Sequence, residues 1–145
     1  MEKYFFVRTG GASATEDDEV TGSTVYPVSS FRGMCSGTSD QKGAVTDDDN
    51  ALSLFFTPKA STGAGGDADD VQGDNVDVIV LACAQYGQKA VMRNLVAAMQ
   101  GHPHGGKHGG FITLYDGYAD KPATDPTTDI AGVTGSTVFH VENAD

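Results

Sequence analysis

The sequence predicts an α+β chain: a mostly antiparallel β-sheet, or a small β-sandwich, with one amphipathic helix packed on one face. Three observations carry this. Short runs rich in aromatic and β-branched residues recur along the chain, cut apart by Gly, Asp, Ser and Thr. One segment alone, Gln88 to Gln100, has helical periodicity. No alternation of strand and helix repeats, so a doubly wound parallel sheet is not expected.

In chain order, Tyr4 to Arg8 (YFFVR) reads as the first strand, stopped by Gly10 and Gly11. Thr24 to Phe31 (TVYPVSSF) is the second; Pro27 has no N–H to donate, so this strand should be an edge or be bulged there. Ser36 to Asn50 reads as a polar connector, and Ala51 to Thr57 (ALSLFFT) as a strand ended by Pro58. Val76 to Ala84 (VDVIVLACA) is the strongest strand. Val76, Val78, Val80 and Ala82 fall on one face, and Asp77, Ile79, Leu81 and Cys83 on the other. From Ile79 both faces are apolar, which predicts a central strand with one face under the helix.

The helix puts Val91, Met92, Leu95, Val96 and Met99 on one stripe, and Gly101 stands where a C-terminal glycine would end it. Gly110 to Tyr115 and Ser136 to Val141 complete the order β-β-β-β-α-β-β. The expected organisation is a single β-rich domain over residues 1–145, with flexible Gly/Asp-rich loops near 10–22, 36–50, 60–75 and 101–110.

Glycine is enriched, 19 of 145 residues, without a fixed period, which fits tight turns and excludes collagen-like repeats. The net charge of −11, from 20 acidic and 9 basic residues, repels phosphate backbones and anionic membranes. Neither nucleic acid nor a membrane is therefore an expected partner. No apolar run approaches ~18 residues, and the start MEKYFFVRTGG lacks a signal-peptide core, so a soluble chain made in a reducing cytoplasm is expected. Cys35 and Cys83 read as two free, largely buried thiols.

No set of residues assembles a recognisable active site, and the chain is read as a non-enzyme without cofactor. His102, His104 and His108 sit among glycines with no Cys or carboxylate nearby, a flexible turn rather than a zinc site. Asp67, Asp69, Asp70 and Asp74, and Asp47, Asp48, Asp49 with Asn50, invite calcium but lack the EF-hand pattern. Gly63, Gly65 and Gly66 precede no Lys-Ser/Thr and open no helix, so they form no phosphate loop. Cys35 and His140 have no local activating group. No catalytic, cofactor-binding or metal-ligating residue is therefore expected.

Tyr4, Phe5, Phe6, Phe55, Phe56 and Phe111 read as core and inter-strand packing. The doublets Phe5-Phe6 and Phe55-Phe56 add a condition. Neighbours on a strand point to opposite faces, so a sheet covered on one side exposes one ring of each pair. Exposed aromatics on several strands would mark an interface.

The segments TVYPVSSFRGM, ALSLFFTP, VDVIVLACA running into KAVMRNLVAAM, GFITLYDG and DIAGVTGSTVFHV together resemble small structural proteins of tailed bacteriophages, of marine or cyanobacterial type. The resemblance is one of pattern over most of the chain. It implies a non-enzymatic virion component made in the host cytoplasm, most concretely a capsid decoration or cement protein. Such a protein binds capsid or other virion subunits in many copies, as a homo-oligomer in an assembly. A tail or filament subunit, or a small calcium- or carbohydrate-binding module, is the alternative.

Overall fold

The computed structural model describes residues 3–9, 23–39, 45–58, 76–101, 110–118, 124 and 126–141. Nine strands and one α-helix are found among them: β1 (Tyr4–Arg8), β2 (Ser23–Pro27), β3 (Phe31–Ser36), β4 (Thr38–Ser39), β5 (Val45–Thr46), β6 (Ala51–Phe56), β7 (Val76–Cys83), α1 (Gln88–Gln100), β8 (Phe111–Asp116) and β9 (Val133–Val141). They form a three-stranded sheet in the order β2-β1-β8, a four-stranded sheet in the order β3-β6-β7-β9, and the small ribbon β4-β5. All pairings are antiparallel except β1 with β8. The fold is thus α+β and β-rich, as the sequence predicts.

The two larger sheets share one apolar core. Phe5, Val7, Tyr26, Ile112 and Leu114 enter it from the three-stranded sheet, and Leu52, Leu54, Phe56, Ile79, Leu81 and Val138 from the other. Strand alternation explains the selection: Phe5 and Val7 are buried while Tyr4, Phe6 and Arg8 point outward. At one end four rings interlock. Phe5, Phe31 and Phe56 meet edge-on with centroids 5.7–6.2 Å apart, and Tyr26 stacks on Phe56 at 4.7 Å.

The expected strand Thr24 to Phe31 is not continuous. β2 is an edge strand and ends at Pro27, as the missing N–H dictates. A single 3₁₀ turn, Val28–Ser30, then carries the chain into the other sheet. β3 and the β4-β5 ribbon lie in and beside the stretch read as a polar connector. Ribbon closure needs Gly37: its φ is +117°, and a Cβ there would lie 2.5 Å from the Thr46 carbonyl oxygen. β4 packs across β6 and β7 on the outer face of the four-stranded sheet. There Ser53 is fully buried and its hydroxyl donates to the Gly37 carbonyl at 2.9 Å.

β7 lies between β6 and β9, the central position expected of it. The helix bounds also match, but its buried stripe is narrower than the periodicity implies. Val91 and Leu95 join the shared core, Met92, Ala98 and Met99 pack at its margin, and Val96 is 38% exposed. The helix does not end on a left-handed glycine. Gly101 is extended (φ −60°, ψ 155°), and the last carbonyls find their partner elsewhere: the Lys3 ammonium donates to the carbonyls of Ala98 (2.7 Å), Met99 (3.3 Å) and Gly101. A cation from the segment before β1 thus caps a helix whose own last turn has none.

Candidate interaction surface

The exposed aromatics gather on the outer face of the three-stranded sheet. Cross-strand register sets out this face in three rows. The first is Pro27, Tyr4 and Phe111; the second is Val25, Phe6 and Thr113; the third is Ser23, Arg8 and Asp116. Two rows are therefore nearly all apolar and the third is polar. Tyr4 is 41% and Phe111 39% exposed, and Val25 lies open beside them. Phe6 stacks on Phe111 with centroids 5.1 Å apart, which holds both rings across the sheet surface. Tyr4 and Phe111 thus depart from the expected core role. The parity of YFFVR carries the signal, since once Phe5 is buried, Tyr4 and Phe6 must face outward together.

The polar row is rigid. The Arg8 guanidinium donates from Nε and a terminal nitrogen to the two Asp116 carboxylate oxygens, both at 2.9 Å. The same guanidinium lies 4.5 Å from the Tyr118 ring centroid and 5.9 Å from that of Phe6. Backbone edges beside this face differ. β8 is covered by residues 127–129: Asp129 N–H donates to the Thr113 carbonyl, Asp116 N–H to the Thr127 carbonyl, and the Thr128 hydroxyl to the Leu114 carbonyl. β2, the other edge, is short and ends in proline, which limits strand addition.

The size of the face defines what it can do. Three strands at about 4.8 Å and two same-face steps of about 6.8 Å give about 200 Å². A stable two-protein contact needs about 800 Å² from each partner. The face can anchor a larger footprint but cannot alone hold a complex.

The second doublet behaves differently. Phe56 is buried, and Phe55 is half-buried on the outer face of the four-stranded sheet beside Ala51, Val76, Val78 and Val80.

Two buried polar groups belong to the sandwich itself. Asp77 is almost fully buried on the inner face of β7, and the Tyr26 hydroxyl donates to its Oδ2 at 2.6 Å. Burial first, then this carboxylate, push the Tyr26 phenol above its ordinary pKa, with a smaller opposing effect from Thr24.

Cys35 and Cys83 are free thiols. Cys83 is buried in the inner core, and burial, with the Asp48 charge second, raises its pKa. Cys35 is only half-buried, less than expected, and sits beside Ser53, whose side chain faces the outer side of that sheet. Cys35 and His140 are on β3 and β9, the opposite edges of the four-stranded sheet, so the topology does not bring them together.

The Asp47–Asn50 turn is stitched internally: Asp48 Oδ1 accepts from Asn50 N–H, and Asp49 Oδ2 from Gln85. Among the described residues no group of three or more His, Cys, Asp or Glu side chains is placed to hold a metal. His102, His104, His108, the Asp67–Asp74 run and Gly63, Gly65 and Gly66 lie outside the described residues, as do the expected loops 10–22 and 60–75. No helix among the described residues is long and apolar enough to cross a membrane. The sequence matches no family model, and no significant match is found among curated proteins or solved structures.

Proposed function

We propose that this chain is a non-enzymatic structural protein that acts by docking, most concretely a decoration or cement protein that binds a phage capsid in many copies and stabilises it. The supporting observation is the aromatic outer face of the three-stranded sheet, with Tyr4 and Phe111 exposed to solvent and Phe6, half-buried, stacked on Phe111. Its limited area fits a component whose grip depends on multiple contacts across a lattice, where avidity multiplies weak individual sites. The acidic composition fits a particle surface that resists nonspecific association.

The test is co-sedimentation of the purified protein with capsids lacking it, followed by cryo-electron microscopy of the loaded particle. The expected result is density for the chain at symmetry-related sites, with the three-stranded sheet against the shell. Tyr4→Ser combined with Phe111→Ser should abolish loading and leave the fold intact. Failure to load, or loading that survives this double substitution, overturns the proposal. Density along a tail would instead favour the tail-subunit reading. An exposed aromatic row beside an Arg–Asp pair also suits a sugar ring, so binding to a polysaccharide gel, lost in the same double variant, would support a carbohydrate-binding module.

A further inference from the structure

We infer that two copies of this chain associate about a two-fold axis through the free flank of α1 and the loop that opens it. In a chain with 20 acidic and 9 basic residues, α1 contains no acid at all. Lys89, Arg93, Val96 and Gln100 recur at helical spacing along one flank, and all four are exposed. The opposite flank is engaged, with Asn94 donating to the Ala131 carbonyl at 2.9 Å. Lys89 and Arg93 form no ion pair with a described residue, whereas Arg8 pairs with Asp116 and Lys3 caps the helix end. The flank is therefore a row about 16 Å long whose two cations, Lys89 and Arg93, stand one helical turn apart, about 6 Å along the axis, unpaired with any described residue.

At the N-terminal end of this row lies its complement. Asp47 and Asp48 are exposed, and their turn is bound to the start of the helix: Gln88 Nε2 donates to the Asp48 carbonyl at 2.9 Å, and Tyr86 N–H to the Asp49 carbonyl at 2.8 Å. Tyr86, whose N–H is bound to the acidic turn and which precedes the helix by two residues, is 77% exposed and held at φ +60°. Tyrosine is a costly residue there; Asn or Gly fits the left-handed region better. An aromatic held out beside the acidic turn has the composition of an interface centre.

Adjacent patches of opposite sign are self-complementary under a two-fold operation. The cationic row of one copy meets the acidic turn of the second, and reciprocally. Charge complementarity selects a second copy over an unrelated partner, because this chain carries the acids that match its own row. Net repulsion between copies of charge −11 is screened beyond about 8 Å at about 0.15 M salt, while contacts at closer range persist.

The experiment is sedimentation equilibrium of the full chain at about 0.15 M salt, over protein concentrations spanning the micromolar to millimolar range. The wild type should show a reversible monomer–dimer equilibrium. Lys89→Glu with Arg93→Glu, and separately Asp47→Lys with Asp48→Lys, should each weaken it by about tenfold or more. Mixing these two variants should restore pairing, since each then offers the charge the other needs; a merely structural defect would not be rescued. Tyr86→Asn should weaken association without lowering the melting temperature. A wild type that stays monomeric, reversal that leaves association unchanged, or failure of the mixture to pair overturns the inference. A monomeric wild type leaves docking through the Tyr4 and Phe111 face untouched, because the two surfaces share no residue.

Discussion

Replacing Tyr26 by Phe removes one oxygen from the centre of the sandwich and little else. The ring still stacks on Phe56 at 4.7 Å, so the packing is retained. What is lost is the 2.6 Å hydrogen bond to Asp77 Oδ2, whose carboxylate is then short of a donor at an almost fully buried site, together with the weaker side-chain hydrogen bond to Thr24. A hydrogen bond to a charged group contributes about 1.5–3 kcal/mol, and its loss in a buried site lies toward the upper end. We expect a destabilisation of about 2–3 kcal/mol at neutral pH, or about 5–10 °C in Tm for a chain of this size. The chain has no tryptophan, so urea unfolding followed by far-ultraviolet circular dichroism is the suitable assay.

The pH dependence makes the test sharper. Tyr26 holds its proton more tightly folded than unfolded, so its stabilising contribution is complete below pH 10, the unfolded value. Above that pH the unfolded chain releases the proton and the folded one retains it. Stability then falls by up to about 1.4 kcal/mol per pH unit from this group alone. The gap between wild type and Tyr26→Phe should therefore narrow above pH 10 and close near pH 12, at about the rate just given. A variant as stable as wild type at neutral pH, or a gap that does not change between pH 9 and about 11.5, would refute this account of the core.

Lys3→Met keeps the aliphatic stem but removes the ammonium from the helix end, and should cost about 1 kcal/mol in urea unfolding, less at high salt. Gly132→Ala should destabilise by about 1–2 kcal/mol, because φ is +99° there and the new methyl would press within 3.1 Å of Val91 Cγ2; a neutral result would show that the loop relaxes. In a native thiol-labelling time course Cys35 should react first and Cys83 only on unfolding, given its burial and raised pKa.

Local pattern made some of this fold legible and hid the rest. The helix bounds and strands β1, β6, β7 and β8 follow from apolar periodicity, which burial on one face imposes directly. β3 escapes the same reading because FRGMCS has no alternation and contains Gly33; it is a strand through pairing with β6, a non-local cause. The β4-β5 ribbon is two residues a side and leaves no period to detect. Val96 has helical spacing but sits at the stripe's margin, and only the position of the neighbouring sheets decides that it stays outside. Of the interaction surface, the aromatic doublets gave warning through Phe6, whereas Tyr86 carried no signal at all: its φ is set by the bond to Asp49, across the gap between two loops.

The parallel pairing of β1 with β8 sets the order in which the chain can fold. β1 is central in its sheet, yet its second neighbour, β8, begins only at Phe111, after all the other strands but β9. The Lys3 bond to Ala98 closes a separation of 95 residues in the same way. During synthesis β1 can pair with β2 but must wait until β8 has been made before its remaining edge is filled. Folding should thus be slow for the number of residues involved. Until β8 arrives, the Phe5 face of the nascent hairpin lacks a partner strand and is open to chaperones.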